Sequence, residues 1–487
     1  MTISTTISNY IGGSFVPARS GEWGENLNPA TAEVINRFPR SGAEDVSAAV
    51  DAAEQALVGE FGEWGAERRA VLLEAVATAI ESRLHEFARA ESQDTGKPVS
   101  LAARMDIPRA CENFRFFAGA IRHQSTDCHT TGPMGGGALN YTLRRPVGIA
   151  GLITPWNLPL YLLSWKVAPA LAMGNAVIAK PSELSPTTAA LLAEVFEEVG
   201  APRGVFNLVF GFGPEVGQAL VEHPRVGLIS FTGGTQTGKQ VAVSAAPHFK
   251  KVSLELGGKN PTVVFADADF NAAVETAVRA AFTNQGEICL CGSRILIEAS
   301  LYDRFEAAFV ERVRGLTVGD PAEEETELGA LISLAHREKV EAFVQLARDE
   351  GGRVLCGGGR PCLEGKLAKG AFLEPTVIGG LASTCRAATE EIFGPVVTLH
   401  SFTTEEEALK KANGVRYGLS ASVWTRDLNR AHRFSARLET GMVWVNTWLL
   451  RDLRVPFGGT KDSGVGREGG RNSLEFYSES RNVCVKL

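Results

Sequence analysis

Between residues 66 and about 91, apolar positions recur at the spacing of one helix face. Gly96-Lys97-Pro98 then supplies a stop, so the N-terminal region is predicted to be helical. Downstream the pattern changes to short β-branched runs alternating with helical ones. Residues 175–179, 205–210 and 226–231 read as strands, and Ser185 with Pro186 caps a helix ending at Gly200. A further run, 252–256, ends at Gly257-Gly258, and an alternating segment resumes at 261–265. The paired glycines and the Lys259-Asn260-Pro261 turn point to a crossing between domains. From there to about Trp448 a second α/β pattern follows, with a helix over 301–314 and a strand over 443–445. Strand-helix-strand alternation means a parallel sheet with helices on both faces. There is no internal repeat and no low-complexity segment.

The chain has 487 residues. Single cores stop growing at roughly 250–300 residues, so two or three domains are expected. Apolar residues at 44% and charged residues at 22% are the balance of a globular protein. The 49 Lys and Arg against 56 Asp and Glu leave a net charge of −7 with no long block of one sign, which argues against nucleic acid as a partner. The one membrane-like run, 147–165, holds Pro155, Asn157 and Pro159, which would expose unpaired backbone groups in lipid. It reads as a buried strand followed by a turn. The first residues, MTISTTISNYIGGSF, lack the basic start and apolar stretch of a signal peptide. The eight cysteines, Cys111, Cys128, Cys289, Cys291, Cys356, Cys362, Cys385 and Cys484, include no CxxC pair, and no His cluster stands at metal spacing. Reduced thiols in a cytoplasm, no metal centre and no membrane are therefore expected, with most cysteines inert.

Three segments hold candidate chemistry. PVGIAGLITPWNLP (146–159) runs a strand into a Pro-Trp-Asn turn that would present the Asn157 amide at the strand's carboxyl end; a tight turn with a capping Asn is the simpler reading. LELGGKNP (254–261) sets Glu255 between two leucines ahead of a flexible glycine pair. A carboxylate there is either a salt-bridged structural residue or one whose pKa is raised by desolvation, suited to general-base work. NQGEICLCGSR (284–294) places Cys289 beside a Gly-containing turn, which by itself is usually packing.

Together with KPSE (180–183), FTGG (231–234), EEIFGPV (390–396) and PFGGTKDSGVGREG (456–469), and in this order, the three segments resemble the aldehyde dehydrogenase superfamily over nearly the whole chain. The resemblance implies that Cys289, as thiolate, attacks an aldehyde carbon. It implies that the Asn157 amide and the Cys289 backbone N–H hold the resulting oxyanion. Hydride then passes to NAD, leaving a thioester that water activated by Glu255 hydrolyses, and Glu255 also serves to deprotonate Cys289. Lys180 and Glu183 are assigned to the adenosine ribose. A carboxylate there accepts from a free 2′-hydroxyl and repels a 2′-phosphate, favouring NAD over NADP. Glu391 is assigned to the nicotinamide ribose and Phe393 to the nicotinamide end. Ile153, Thr154, Pro155 and Trp156 are implied on the cofactor surface, as are Ser182, Gly213, Phe231, Gly233 and Leu256. Cys291 is given a packing role. The chain departs from the family at Gly234, where many members carry Ser, and at Arg471, read as standing where several relatives carry a Glu proposed to relay protons.

Within the superfamily, DIPRA (106–110), NFRFFAG (113–119), WNLPLYLLSWK (156–166), WLLRDLRVPFGG (448–459) and SLEFY (473–477) resemble the members acting on 2-aminomuconate and 2-hydroxymuconate 6-semialdehydes. Arg109 falls on a helix lining the family's substrate tunnel. Arg451 falls in the loop before Pro456-Phe457, which lines the same tunnel. Two guanidinium groups there would bind a carboxylate remote from the aldehyde carbon and would repel betaine aldehyde. The simpler reading pairs each Arg with a neighbour, such as Asp106 or Asp452. The rival readings are a dehydrogenase for betaine aldehyde or an aliphatic aldehyde, a non-catalytic binding relative, an acylating enzyme using coenzyme A, and a cysteine hydrolase. The last three fit poorly with the presence of Cys289 and Glu255 and with no His evidently paired to Cys289. The implied architecture is α/β: a Rossmann-like NAD-binding domain (1–126 and 147–256), an α/β catalytic domain (257–473) and a small β arm (127–146 and 474–487). The arm adds strands across a subunit boundary, so a homo-oligomer, dimer or tetramer, is expected.

Overall fold

The computed structural model describes residues 6–132 and 137–487. Two largely parallel sheets organise the chain. The first has the strand order Ser14–Val16, Asn9–Ile11, Phe206–Leu208, Ala176–Lys180, Ile149–Ile153, Leu228–Thr232, Lys251–Glu255, Gly464–Val465. Its five central strands are parallel, and antiparallel strands close both edges. Side chains alternate between two helical layers. Ala150 and Leu152 face a core with Phe114, Phe117, Trp165 and Phe196, whereas Ile149 and Ile153 face one with Val46, Val50 and Leu220. Each fully buried apolar side chain contributes roughly 1.5–3 kcal/mol. Burial on both faces is why these strands read as unbroken apolar runs.

Strand order reverses beside Ile149–Ile153, with Ala176–Lys180 on one side and Leu228–Thr232 on the other. An open sheet leaves a crevice at the carboxyl ends of its strands where the order reverses. Asn157, Lys180, Phe231 and Glu255 all lie at or just beyond such ends.

The second sheet runs Arg353–Cys356, Thr376–Gly379, Val396–Phe402, Arg294–Glu298, Pro261–Val264, Ser420–Trp424, Met442–Val445, parallel except for the first pair. Helices Phe270–Phe282 and Tyr302–Arg314 cover one face; Glu405–Asn413 and Leu428–Arg437 cover the other. A small antiparallel sheet of Cys128–Thr131, Ala138–Pro146 and Ser478–Lys486 stands largely exposed. Among the described residues no helix is long and apolar enough to cross a membrane.

Local pattern and structure differ instructively in three places. The helical run from 66 is two helices, Ala66–Ser82 and Leu84–Thr95, stopped by Gly96 in the left-handed region with its N–H on Ser92 O. The turn after Ile149–Ile153 leads straight into helix Pro159–Ala172. All 14 of its residues are buried, so it shows no amphipathic period. Helix Thr187–Glu198 is not capped by the Ser185 side chain. The buried Asp94 carboxylate accepts from Thr187 N at 2.8 Å and from its hydroxyl at 2.7 Å.

Candidate active site

Helix Phe270–Phe282 ends in a loop where Asn284 (φ 53°), Gln285 (φ 54°) and Gly286 (φ 72°) are successively left-handed. Each non-glycine residue there costs roughly 1–3 kcal/mol and persists because its surroundings over-determine it. Asn284 Nδ2 donates to Asn157 O (3.2 Å) and Glu287 O (3.3 Å), and Gln285 Nε2 donates to Ala330 O (3.2 Å). The loop delivers Cys289 to a cavity of about 200 Å³. Asn260 Nδ2 holds the Cys289 carbonyl at 2.7 Å and the Cys291 carbonyl at 2.9 Å, while Asn260 Oδ1 accepts from Ser420 N at 3.0 Å. Asn260, legible in the sequence only as a turn residue, thus sets the backbone at Cys289. The Cys289 N–H donates to no acceptor among the described residues. The turn after Ile149–Ile153 brings the buried Asn157 to the same loop, its Nδ2 donating to Glu287 O at 2.8 Å.

Glu255 ends strand Lys251–Glu255 at 3% exposure, and neither carboxylate oxygen has a hydrogen-bond partner among the described residues. It is therefore not the salt-bridged structural carboxylate of the simpler reading. Desolvation lifts its pKa well above the ordinary range; the charge of Glu468 adds to this and Lys166 opposes it. A Cβ on Gly458 would lie 2.7 Å from Glu255 Oε1, so glycine is what lets that chain pass the carboxylate. Burial, followed by Glu255 and Glu391, raises the pKa of the Cys289 thiol, with Arg451 opposing.

Arg471 stands away from this chemistry: it is exposed and bonds Glu475 at 2.6 Å. The buried acid that acts on Glu255 is Glu468, held by Lys166 Nζ at 2.6 Å and by Ser230 Oγ at 3.2 Å. The sequence reading passed over it because a single Glu after Arg467 carries no local sign of burial.

A raised carboxyl pKa has a consequence for stability. The folded state favours neutral Glu255, so its contribution is full below the unfolded value and is lost as pH rises through the folded one. Glu255→Gln is expected to melt at or above wild type, with the gap widening as pH rises above the ordinary carboxylate range. Calorimetry showing a gap that narrows instead would mean an ion-paired Glu255.

The residues expected at a cofactor are placed as follows. Lys180 Nζ and Glu183 Oε2 are paired at 2.8 Å, and the Ser182 hydroxyl accepts from Leu184 N at 3.2 Å. Thr154 N donates to Lys180 O at 3.2 Å, tying the segment from Ile153 through Pro155 to the KPSE strand. A Cβ on Gly233 would meet the Phe231 ring at 2.5 Å, so a side chain there would have to displace that ring. Gly234 precedes helix Thr235–Ala245, whose amide N–H groups form an anion-favouring end. Leu256 packs over Gly238. Gly213 opens the π-helical turn Gly213–Gly217. Glu391 Oε1 accepts from Gly258 N at 2.8 Å, and its carboxylate fills the space above Gly257. Phe393 (φ 62°) meets the Trp156 ring edge-on at 5.3 Å. His336, unsuspected from the sequence, hydrogen-bonds the Phe393 carbonyl through Nε2 at 2.6 Å and lies 5.4 Å from the Trp156 ring.

On the other side of Cys289 the cavity is lined by Arg109, Tyr161, Trp165, Arg451 and Phe457. Arg451 Nη1 donates to the Tyr161 hydroxyl at 2.7 Å, and its guanidinium lies 4.2 Å over Phe457 and 5.2 Å over Trp165. It has no ion pair among the described residues, because Asp452 binds Arg454 and Asp106 binds Lys97. Arg109 does pair with a neighbour, Glu112 at 3.4 Å, and lies 5.9 Å over the Tyr161 ring. A larger hollow of about 780 Å³ shares Arg104 and Met105 with this cavity but holds neither Cys289 nor Glu255, so the smaller one is the candidate site.

The sequence pattern of the aldehyde dehydrogenase family matches residues 15–483. A 2-aminomuconic semialdehyde dehydrogenase of Danio rerio is 50% identical over 485 residues, covering 99% of this chain and 98% of that protein. A 2-hydroxymuconic semialdehyde dehydrogenase of a Pseudomonas species is 49% identical over 483 residues, covering 99% of each. The NAD+ complex of an aldehyde dehydrogenase from Bacillus cereus superposes with a TM-score of 0.96 at 38% identity, covering 100% of this chain and 98% of that one. The family pattern and relatives about half identical match the chain along nearly its full length, and the chain belongs to the aldehyde dehydrogenase family.

Proposed function

We propose that the protein oxidises an aldehyde carrying a remote carboxylate, 2-aminomuconate or 2-hydroxymuconate 6-semialdehyde, to the dicarboxylic acid with NAD. Arg451 carries the substrate assignment. It has no ion pair among the described residues and is held by Tyr161 in the cavity that contains Cys289. Relatives with about half their residues in common bear the names of these two activities.

The crevice suits NAD. Glu183 and Glu391 would offer acceptors for ribose hydroxyls, Lys180 is paired with Glu183, and the amide N–H groups at the start of Thr235–Ala245 would hold a diphosphate. When bound, the nicotinamide accepts the hydride. Glu255 takes the proton of the Cys289 thiol as sulfur bonds to the aldehyde carbon. The Cys289 N–H, which has no acceptor among the described residues, and the second amide hydrogen of Asn157 receive the oxyanion. Loss of hydride leaves a thioester. Glu255, its first proton released to solvent water, deprotonates the water that adds to the thioester carbonyl; the acid departs and Glu255 returns that proton to the thiolate, restoring the thiol. The exposed three-stranded sheet offers edges for pairing with a second copy, which favours a homo-oligomer.

The test is NADH formation from 2-hydroxymuconate semialdehyde, betaine aldehyde and a neutral aliphatic aldehyde. Arg451→Ala is expected to lower kcat/KM for the semialdehyde roughly 10²-fold, the worth of a hydrogen bond to a charged group, and to leave the neutral aldehyde nearly unchanged. Arg109→Ala should cost less, since Glu112 already neutralises that arginine. If wild type uses the neutral aldehyde equally well and Arg451→Ala changes nothing, the semialdehyde assignment fails while the dehydrogenase assignment stands.

A further inference from the structure

We propose that Lys97 is a positioning residue for the Asn157 amide, acting from behind the turn through a buried cluster with Asp106 and Glu91. The proposal rests on the oxyanion role given to Asn157 above. Lys97 follows the Gly96 helix stop and is fully buried. Its ammonium donates to Asp106 Oδ2 (2.9 Å), Glu91 Oε1 (3.4 Å) and the Asn157 carbonyl (2.9 Å). The other Glu91 oxygen accepts from Leu160 N at 3.3 Å. The cluster therefore grips the turn at Asn157 itself and again three residues later, where helix Pro159–Ala172 begins.

Burying these charges is poor economy for stability alone, because an apolar replacement of the same volume is often as stable. Burial pushes the carboxyl pKa of both Glu91 and Asp106 up while the Lys97 ammonium opposes it at each, so the cluster holds less charge than three isolated groups would. What it achieves is orientation. Lys97 and Asn284 are the two donors to the Asn157 carbonyl among the described residues. With that peptide fixed and one side-chain hydrogen on Glu287 O, the remaining Asn157 hydrogen has one direction left. Asp106 also ends the π-helical stretch Ala102–Asp106, whose Arg104 and Met105 line the substrate cavity, and Arg109 follows on the next helix. One cluster thus holds the oxyanion donor and the segment carrying Arg109 in a common frame.

Stopped-flow measurement of the first NADH turnover tests this in wild type, Lys97→Met, Asn157→Ala and the double variant, with intact sites counted by iodoacetamide labelling of Cys289. Lys97→Met is expected to slow that turnover about 10²-fold, the cost of misplacing a catalytic group by about an ångström, with KM values near wild type. In the Asn157→Ala background the same change should add nothing. Equal slowing in both backgrounds, or a raised KM with an unchanged first turnover, overturns the proposal. A wild-type rate in Asn157→Ala alone removes the oxyanion reading on which it rests. Should Lys97→Met not fold, Asp106→Asn keeps the volume, removes the counter-charge and carries the same expectations.

Discussion

Cys289→Ala is expected to abolish NADH formation, with turnover falling on the order of 10⁴-fold or more while NAD still binds, because no other group present can form the covalent adduct. Of the eight cysteines only Cys289 opens onto the cavity beside Arg451. Cys291, two residues on, is buried with its sulfur 4.0 Å from Thr283 O, and burial pushes its thiol up to about 12. Cys291→Ala should therefore keep activity, and iodoacetamide should lose its active-site adduct only in the Cys289 variant. Residual turnover in Cys289→Ala close to wild type would sink the covalent mechanism and with it the roles given to Asn157 and Glu255.

The second large effect is expected at Glu255. With Gln there, hydride transfer can still proceed from whatever thiolate forms, but nothing activates water. The variant should release about one NADH per site and then slow roughly 10³-fold, within the range for loss of a general base. Mass spectrometry of the stalled protein should find the acyl group on the peptide containing Cys289. If the first NADH is lost as well, the essential task of Glu255 is to deprotonate the thiol. In wild type, the lifted Glu255 pKa means that turnover climbs with pH above the usual carboxylate range, and this limb should vanish in Glu255→Gln.

Much of the candidate site was legible along the chain because the residues proposed for its chemistry lie in short contiguous segments. Asn157, Glu255 and Cys289 each sit in a motif of a few residues, and each motif lies on a strand end or loop that hydrophobic runs predict. Other parts were not legible. Asn260 and His336 look like an ordinary turn residue and an ordinary helical residue, and their partners Cys289 and Phe393 are 29 and 57 positions away. Glu468 was overlooked in favour of Arg471, three residues on, because only the packed structure shows which of the two turns inward.

The sequence by itself determined the alternation of strands and helices, the order of the motifs and the kinds of chemical group available, since periodicity and composition are local properties of the chain. Only the tertiary structure decided who pairs with whom. Asp94 caps a helix 93 residues away, Lys97 reaches the Asn157 carbonyl across 60, and Glu112 rather than Asp106 takes Arg109. Arg451 is left with an aromatic surround in place of an anion. The reason is physical: a charged side chain pairs with whichever counter-ion packing brings within about 4 Å, and that distance is set by how helices and sheets stack, to which spacing along the chain is blind.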